Sequence, residues 1–407
     1  MYNQDQLILR DLAKELQILS ETPAAKQTIK DWVNHNALRG TRPMILAFPE
    51  FNAWHEDLVL DKDLLCVDPQ LRAFERNLRQ RLYQATVIKD DSPITNNFNI
   101  NHVINTSFYG DKFKLVATKT SVPNGSYHYE KCIYDIEEDF DKLSFRTAYY
   151  DKEKTLSTLS FAEETFGDIL NIRLRGPKWW TLGLTWEAIK LIGLEDLMIN
   201  MYDDPDELHR LMKWLSDEHL HYIDTLKGLG VLSSNTEDDG IGSGGYGYSD
   251  EIPSATGNVS FENMWGFCES QETVGISPTM FSEFVFPYQL PLLEKFPLNC
   301  YGCCEPLEGR WKWVSTIPRL RRVSVSPWSN MDAMQELLGK NYIYSRKPNP
   351  AHICAGYHEE EIQKDLQHAY EVSKHTHMEI ILKDVQTLQH DPSRMTKWVA
   401  MARAQIN

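Results

Sequence analysis

Apolar residues recur at helical spacing through the first part of the chain: Leu9, Leu12, Leu16 and Leu19, then Ile29, Trp32 and Val33. This spacing predicts two amphipathic helices over residues 4 to 35. They part at Ser20-Glu21-Thr22-Pro23, where a proline suits a first helical turn. Arg42-Pro43 then leads into a short apolar run, Met44 to Phe48, that reads as a buried strand. Residues 86 to 160 are rich in Thr, Val, Tyr and Phe. Turn signals stand at Asp90-Asp91-Ser92-Pro93, Tyr109-Gly110-Asp111 and Pro123-Asn124-Gly125, and a β-hairpin insertion is expected over 93–135.

From about residue 160 the pattern becomes short apolar runs alternating with long helical ones. Strands are expected at Ile169–Leu174, Thr181–Leu184, Val231–Asn235, Asn263–Phe267, Leu298–Cys304, Arg322–Ser326, Tyr342–Ser345 and Met378–Asp384. Helices are expected near 205–228, 278–295, 330–339, 358–374 and 392–405. A β-α rhythm of this length implies a parallel sheet covered by helices. The number of units favours an α/β (β/α)8 TIM barrel. The expected organisation is an N-terminal helical extension over 1–40 and a barrel over 41–407, with the β-rich insertion at about 86–160.

Strand alternation then places side chains. Barrel strands are buried on both faces, so polar residues within them are informative. In Met378–Asp384, Ile380 and Leu382 should face the helices, while Glu379, Ile381 and Lys383 face the centre. Those two charges are candidates for an internal ion pair. In Leu298–Glu305, Leu298 and Cys300 should face outward and Tyr301, Cys303 and Glu305 inward. In Arg322–Ser326, Val323 and Val325 should face outward and Ser324 and Ser326 inward. The strand ends would bring Cys303, Glu305, Ser326, Arg346, Lys347, Lys383 and Asp384 to one mouth.

The chain has 407 residues, 42% apolar and 25% charged, enough for a large core. Its net charge of −16 argues against nucleic acid and anionic membranes as partners. No run reaches the ~18 apolar residues of a membrane span. Seven cysteines without framework spacing, and a start at Met1 with neither basic nor apolar leader, point to a reducing cytoplasm.

Tyr301-Gly302-Cys303-Cys304-Glu305-Pro306-Leu307 is the most informative segment. Two thiols and a carboxylate at a strand end suit zinc on Cys303, Glu305 and Cys304, and buried structural cysteines are the alternative. Candidate catalytic groups are Glu269, Lys383 and Asp239. Candidate substrate-binding groups are Arg346, Lys347, Tyr246, Trp54, His55 and Ser326, with the two cations suited to an anionic substrate. The run Asp238–Tyr246 lacks a dinucleotide-loop order and reads as a mobile lid or a plain flexible loop. His352-x-Cys354 has chelate-like spacing, whereas His375 and His377 fall at the opposite end of the barrel.

Several motifs carry a resemblance. They are Trp186-Glu187-Ala188, Gly193-Leu194-Glu195-Asp196-Leu197-Met198, Asp203-Asp204-Pro205-Asp206-Glu207-Leu208-His209, Ser277-Pro278 opening a helix, and the Arg346–Pro350 turn. Over residues 165 to 405 the chain resembles the uroporphyrinogen decarboxylase superfamily, which includes the cobalamin-dependent methyltransferases. The resemblance implies a (β/α)8 barrel. The decarboxylases carry an arginine-rich loop where this chain has Phe48–His55 without arginine, so a porphyrinogen substrate is not expected. The methyltransferases carry His-x-Cys and a distant Cys as zinc ligands. Here Tyr301-Gly302-Cys303 stands in that place, with Cys304 or Glu305 in lieu of the histidine and Cys354 as the nearest distant thiol.

Two enzymatic readings follow. The first is a zinc-dependent methyltransferase acting on a small thiol or hydroxyl, with cobalamin carried by a partner protein. The second is a metal-independent decarboxylase or lyase for a small carboxylic acid, with Arg346 and Lys347 holding carboxylates and Asp239 or Glu269 stabilising a cationic intermediate. A non-enzymatic binder is the third possibility. A homodimer is compatible with an acidic barrel carrying a hairpin and a helical arm.

Overall fold

The computed structural model describes residues 2–110, 112–119, 127–177 and 181–406. Helices α1 (Gln4–Ser20) and α2 (Pro23–Asn36) form as the spacing demands, with Asn3 and Thr22 capping their first turns. Helix α3 (Pro69–Tyr83) follows strand β1 (Met44–Pro49). Next come β2 (Asn97–Asn101), β3 (Ile104–Thr106), β4 (Val116–Lys119), β5 (Tyr127–Glu130), β6 (Ala148–Tyr150) and β7 (Asn171–Arg175). The remaining strands are β8 (Trp265–Cys268), β9 (Leu298–Tyr301), β10 (Leu320–Val325), β11 (Ile343–Arg346) and β12 (His377–Val385).

Six strands form one curled parallel sheet in the order β1-β12-β11-β10-β9-β8. Parallel neighbours require long crossovers, and helices such as Met331–Leu338 and Glu359–Ser373 supply them. Three expectations change here. Residues 181–184 are not a strand, because Leu184 opens a helix to Ile192. Residues 231–235 run without a ladder; side chains fasten them instead, with the Asn235 amide bonded to both backbone groups of Trp265. The insertion is not one hairpin. Only β4 and β5 form a simple antiparallel pair, β3 reaches β6, and β2 pairs in parallel with β7. The expected turns at Asp111 and at Pro123–Gly125 lie outside the described residues.

Alternation holds on β10 and β12. Val323, Val325, Ile380 and Leu382 join the helix-facing core, and Ile381 packs on the concave side with Trp32, Met44 and Leu46. It is reversed on β9. Leu298 and Cys300 face the concave side with Trp265 and Phe267, while Tyr301 points into the helices and bonds Gln289 at 2.7 Å. The strand begins at Leu298 as expected, but that residue faces the concave side, and an inverted phase exchanges every face along the strand.

The concave side is filled. Helix α2 places Trp32, His35 and Asn36 against it, and the glycine-rich segment 240–247 enters from the other direction. That segment is therefore a packed plug and not a mobile lid. Ile241 and Ser243 are buried, and the Ser243 hydroxyl donates to the Gly302 carbonyl at 2.9 Å. A Cβ on Gly245 would collide with the Trp32 ring, and one on Gly242, which has φ +55°, with the Phe267 ring.

A buried ion cluster ties these parts together. Glu379 of β12 lies 3.0 Å from Arg322 Nε of β10 and 3.2 Å from His35 Nε2 of α2. It also accepts from the Gly245 amide at 3.0 Å and from the Ser345 hydroxyl. Its partner is thus Arg322 and not Lys383. Burial alone would raise its pKa, but Arg322 and His35 hold the carboxyl well below the ordinary carboxylate range. Such a carboxylate adds stability above its unfolded pKa of 4.5, and that stability drains away as pH falls towards the folded value. Glu379→Gln strands Arg322 as a buried cation, and a loss of about 3–5 kcal/mol is expected in urea denaturation at pH 7. The gap between variant and native protein should shrink below pH 4.5; a constant gap would refute the ionic account.

Candidate functional site

Beyond β9 the chain turns at Gly302, whose φ of +92° favours glycine. The turn is locked on every side. Ser324 Oγ donates to the Cys303 carbonyl at 2.8 Å. The buried Glu305 carboxylate accepts from the amides of Cys303 and Ser270, each at 2.9 Å. Arg310 fixes Ser270 in turn, donating to its hydroxyl at 2.8 Å, and lies over the Phe281 ring at 4.6 Å.

This loop sets the Cys303 and Cys304 sulfurs 3.6 Å apart. Cys303 is 4% exposed and Cys304 is half-buried. Hydrogen bonding from Cys303 lowers the Cys304 pKa against the opposing effect of burial, and raises that of Cys303. The nearby Lys383 ammonium favours both thiolates. Cys304 is therefore the more acidic thiol of the pair. Lys347 is buried beside them, donating to the Ser345 carbonyl and hydroxyl at 2.9 and 2.5 Å. Burial depresses its pKa to about 8, partly opposed by Glu379. Its amine is thus within reach of deprotonation near neutral pH.

Glu269 leaves β8 toward the same end and is fully buried, its backbone carbonyl held by Gln289 at 2.7 Å. Burial first, then Glu272 and Glu305, push its pKa well up. A buried carboxyl, a thiol pair and two lysines are groups suited to proton transfer and cationic stabilisation.

The other expected site residues lie elsewhere. Arg346 turns outward to Asp365 and the Ser326 carbonyl. Ser326 Oγ faces Ser329 at 3.2 Å. Asp239 pairs with Arg175, and Tyr246 packs on Trp32 and Phe48. Trp54 packs on Tyr83, and His55 is half-exposed, 3.9 Å from Asp61. Asp384 is exposed, its amide donating to Glu50 at 3.1 Å. His352 sits against His358, and Cys354 Sγ is 3.9 Å from the Asp384 carbonyl.

Among the described residues, no three His, Cys, Asp or Glu side chains converge as a metal cage. Glu305, expected as a zinc ligand, has both carboxylate oxygens engaged by amides. The arrangement of Cys303, Cys304 and Glu305 thus does not fit a tetrahedral zinc site. Sequence reasoning missed Arg310, His35 and Arg322. Arg322 was within its reach, because it shares the inward parity of Ser324.

No family model matches the sequence, and no curated protein matches it. Among solved structures, the chain is similar to a methyltransferase from Methanosarcina mazei. The TM-score is 0.51 at 10% identity, over 93% of this chain and 98% of that one. At this identity the likeness is one of fold. No helix among the described residues is long and apolar enough to cross a membrane.

Two outcomes test the site. Iodoacetamide should label Cys304 before Cys303, and Cys303→Ala should slow that labelling at pH 7 by removing the hydrogen-bond donor; peptide mass spectrometry reads both. Lys347 carries a folded pKa of about 8 against the ordinary 10.5, so its charge burdens the fold below pH 8 and the burden lifts as pH rises towards 10.5. The stability advantage of Lys347→Met over the native protein should therefore narrow across that range; widening would disprove the assignment.

Proposed function

We propose that the protein is a methyltransferase working at the thiol pair, with a small thiol or hydroxyl compound as acceptor. The observation that carries this reading is the Cys303–Cys304 pair, 3.6 Å apart and within electrostatic reach of Lys383. The likeness in fold to a methyltransferase supports it. In this reading the six-stranded sheet belongs to a (β/α)8 barrel that closes through β7 and residues 231–235. The Gly176 amide, which donates to Ser233 Oγ at 2.7 Å, favours that closure. The methyl donor is proposed to be a corrinoid carried by another protein.

The Cys304 thiolate takes the proton of the acceptor's S–H or O–H. The acceptor's freed electron pair forms the new bond to the methyl carbon while the donor keeps the pair of the bond that breaks. Lys383 stabilises the anion as it forms, and the protonated Glu269 donates a hydrogen bond to the acceptor. No step is assigned to zinc. The decarboxylase reading loses support because Arg346, one of its two carboxylate clamps, is bound to Asp365.

Free methylcobalamin with a small thiol provides the test, followed by the loss of its absorbance. Cys304→Ser should slow turnover by about 10²–10⁴-fold, the range for losing a catalytic base. A rate equal to that of the native protein would defeat the proposal.

A further inference from the structure

The glycine-rich plug also closes one wall of a separate cavity of about 250 Å³. Its other walls are α1, α3 and residues 92–99. It is smaller than the ~300–1,000 Å³ of drug-sized pockets, so it selects a small molecule.

Its charge is unusual. Arg81 donates to the backbone carbonyls of Asn97 and Thr95, both at 2.6 Å. Among the described residues, no carboxylate lies within ion-pair distance of Arg81. Asp238, on the same wall, is already engaged by Arg173 at 2.7 Å, Thr95 at 3.0 Å and Asn97 at 3.3 Å. A guanidinium has five N–H donors, so Arg81 retains donors for a ligand.

Around this cation stand amides with unused capacity. The Asn77 side chain has no hydrogen-bond partner among the described residues. Asn99 Oδ1 accepts from Arg173, which leaves its Nδ2 donor. Gln84 Nε2 donates to the Ala47 carbonyl and to Asp90, which leaves its Oε1 acceptor. Donors and acceptors interleaved in this way suit hydroxyls, each of which both gives and accepts. The planar fork of Arg81 suits a carboxylate.

We infer that this cavity binds a small polyhydroxylated monocarboxylate, its carboxylate on Arg81 and its hydroxyls on Asn77, Gln84 and Asn99. The site is independent of the thiol pair and of the reaction assigned to it.

Calorimetric titration of the full chain with gluconate, glucose and inorganic phosphate tests the inference. Gluconate should bind saturably at millimolar concentration and the other two should not. Arg81→Gln should abolish binding, but Arg81 also ties down the 95–97 backbone and this variant is at risk of misfolding. Asn77→Leu carries no such risk; it should keep the native melting curve and weaken gluconate at least about tenfold. The inference is overturned if gluconate does not bind, if Asn77→Leu binds it equally well, or if glucose or phosphate matches it.

Discussion

One buried carboxylate organises this molecule. Glu379 holds a strand, a neighbouring strand through Arg322, the N-terminal helical arm through His35 and the plug through the Gly245 amide. Taking these charges out of water is costly, and the cost is met only while each partner stays in place. The cluster therefore specifies an arrangement more than it adds net stability. It acts together with Asn36, whose amide donates to the Tyr246 and Tyr248 carbonyls at 2.8 and 2.7 Å, to keep α2 and the glycine-rich segment on the concave side.

Much of the architecture was legible because parallel strands leave an apolar signature and amphipathic helices a periodic one. Helices α1 and α2 and strands β1, β10, β11 and β12 lie where the pattern puts them, to within a residue or two. The failures have physical causes. The faces of strand β9 are inverted relative to expectation because apolar residues in a strand buried on both sides give no phase, so Tyr301 and Cys300 lie on the faces opposite to those expected. The segment 240–247 reads as a lid or a flexible loop because glycines signal freedom; here they answer to the close approach of Trp32 and Phe267. Arg346 sits at a strand end, yet its parity sends it to Asp365.

The site was legible in part. The thiols, Lys347, Lys383 and Glu269 could be placed at one end from strand order alone. The role of Glu305 could not, because a carboxylate that accepts two amides looks in sequence like one awaiting a metal. Three titratable groups of that end are also shifted for reasons the sequence does not display: burial raises the Glu269 pKa, hydrogen bonding from Cys303 lowers that of Cys304, and burial depresses that of Lys347 to about 8. Tyr246, first assigned to the thiol mouth, belongs to the amide-lined cavity on the other side of the plug.

The ladder between β1 and β12 has a temporal meaning. Met44 is matched with Glu379, so the first stave of the sheet waits for a segment that leaves the ribosome long after it. Contacts of such long sequence separation slow folding and leave an open strand edge in the meantime. During synthesis that edge is a natural client surface for chaperones, and chains released early would be prone to join one another through it.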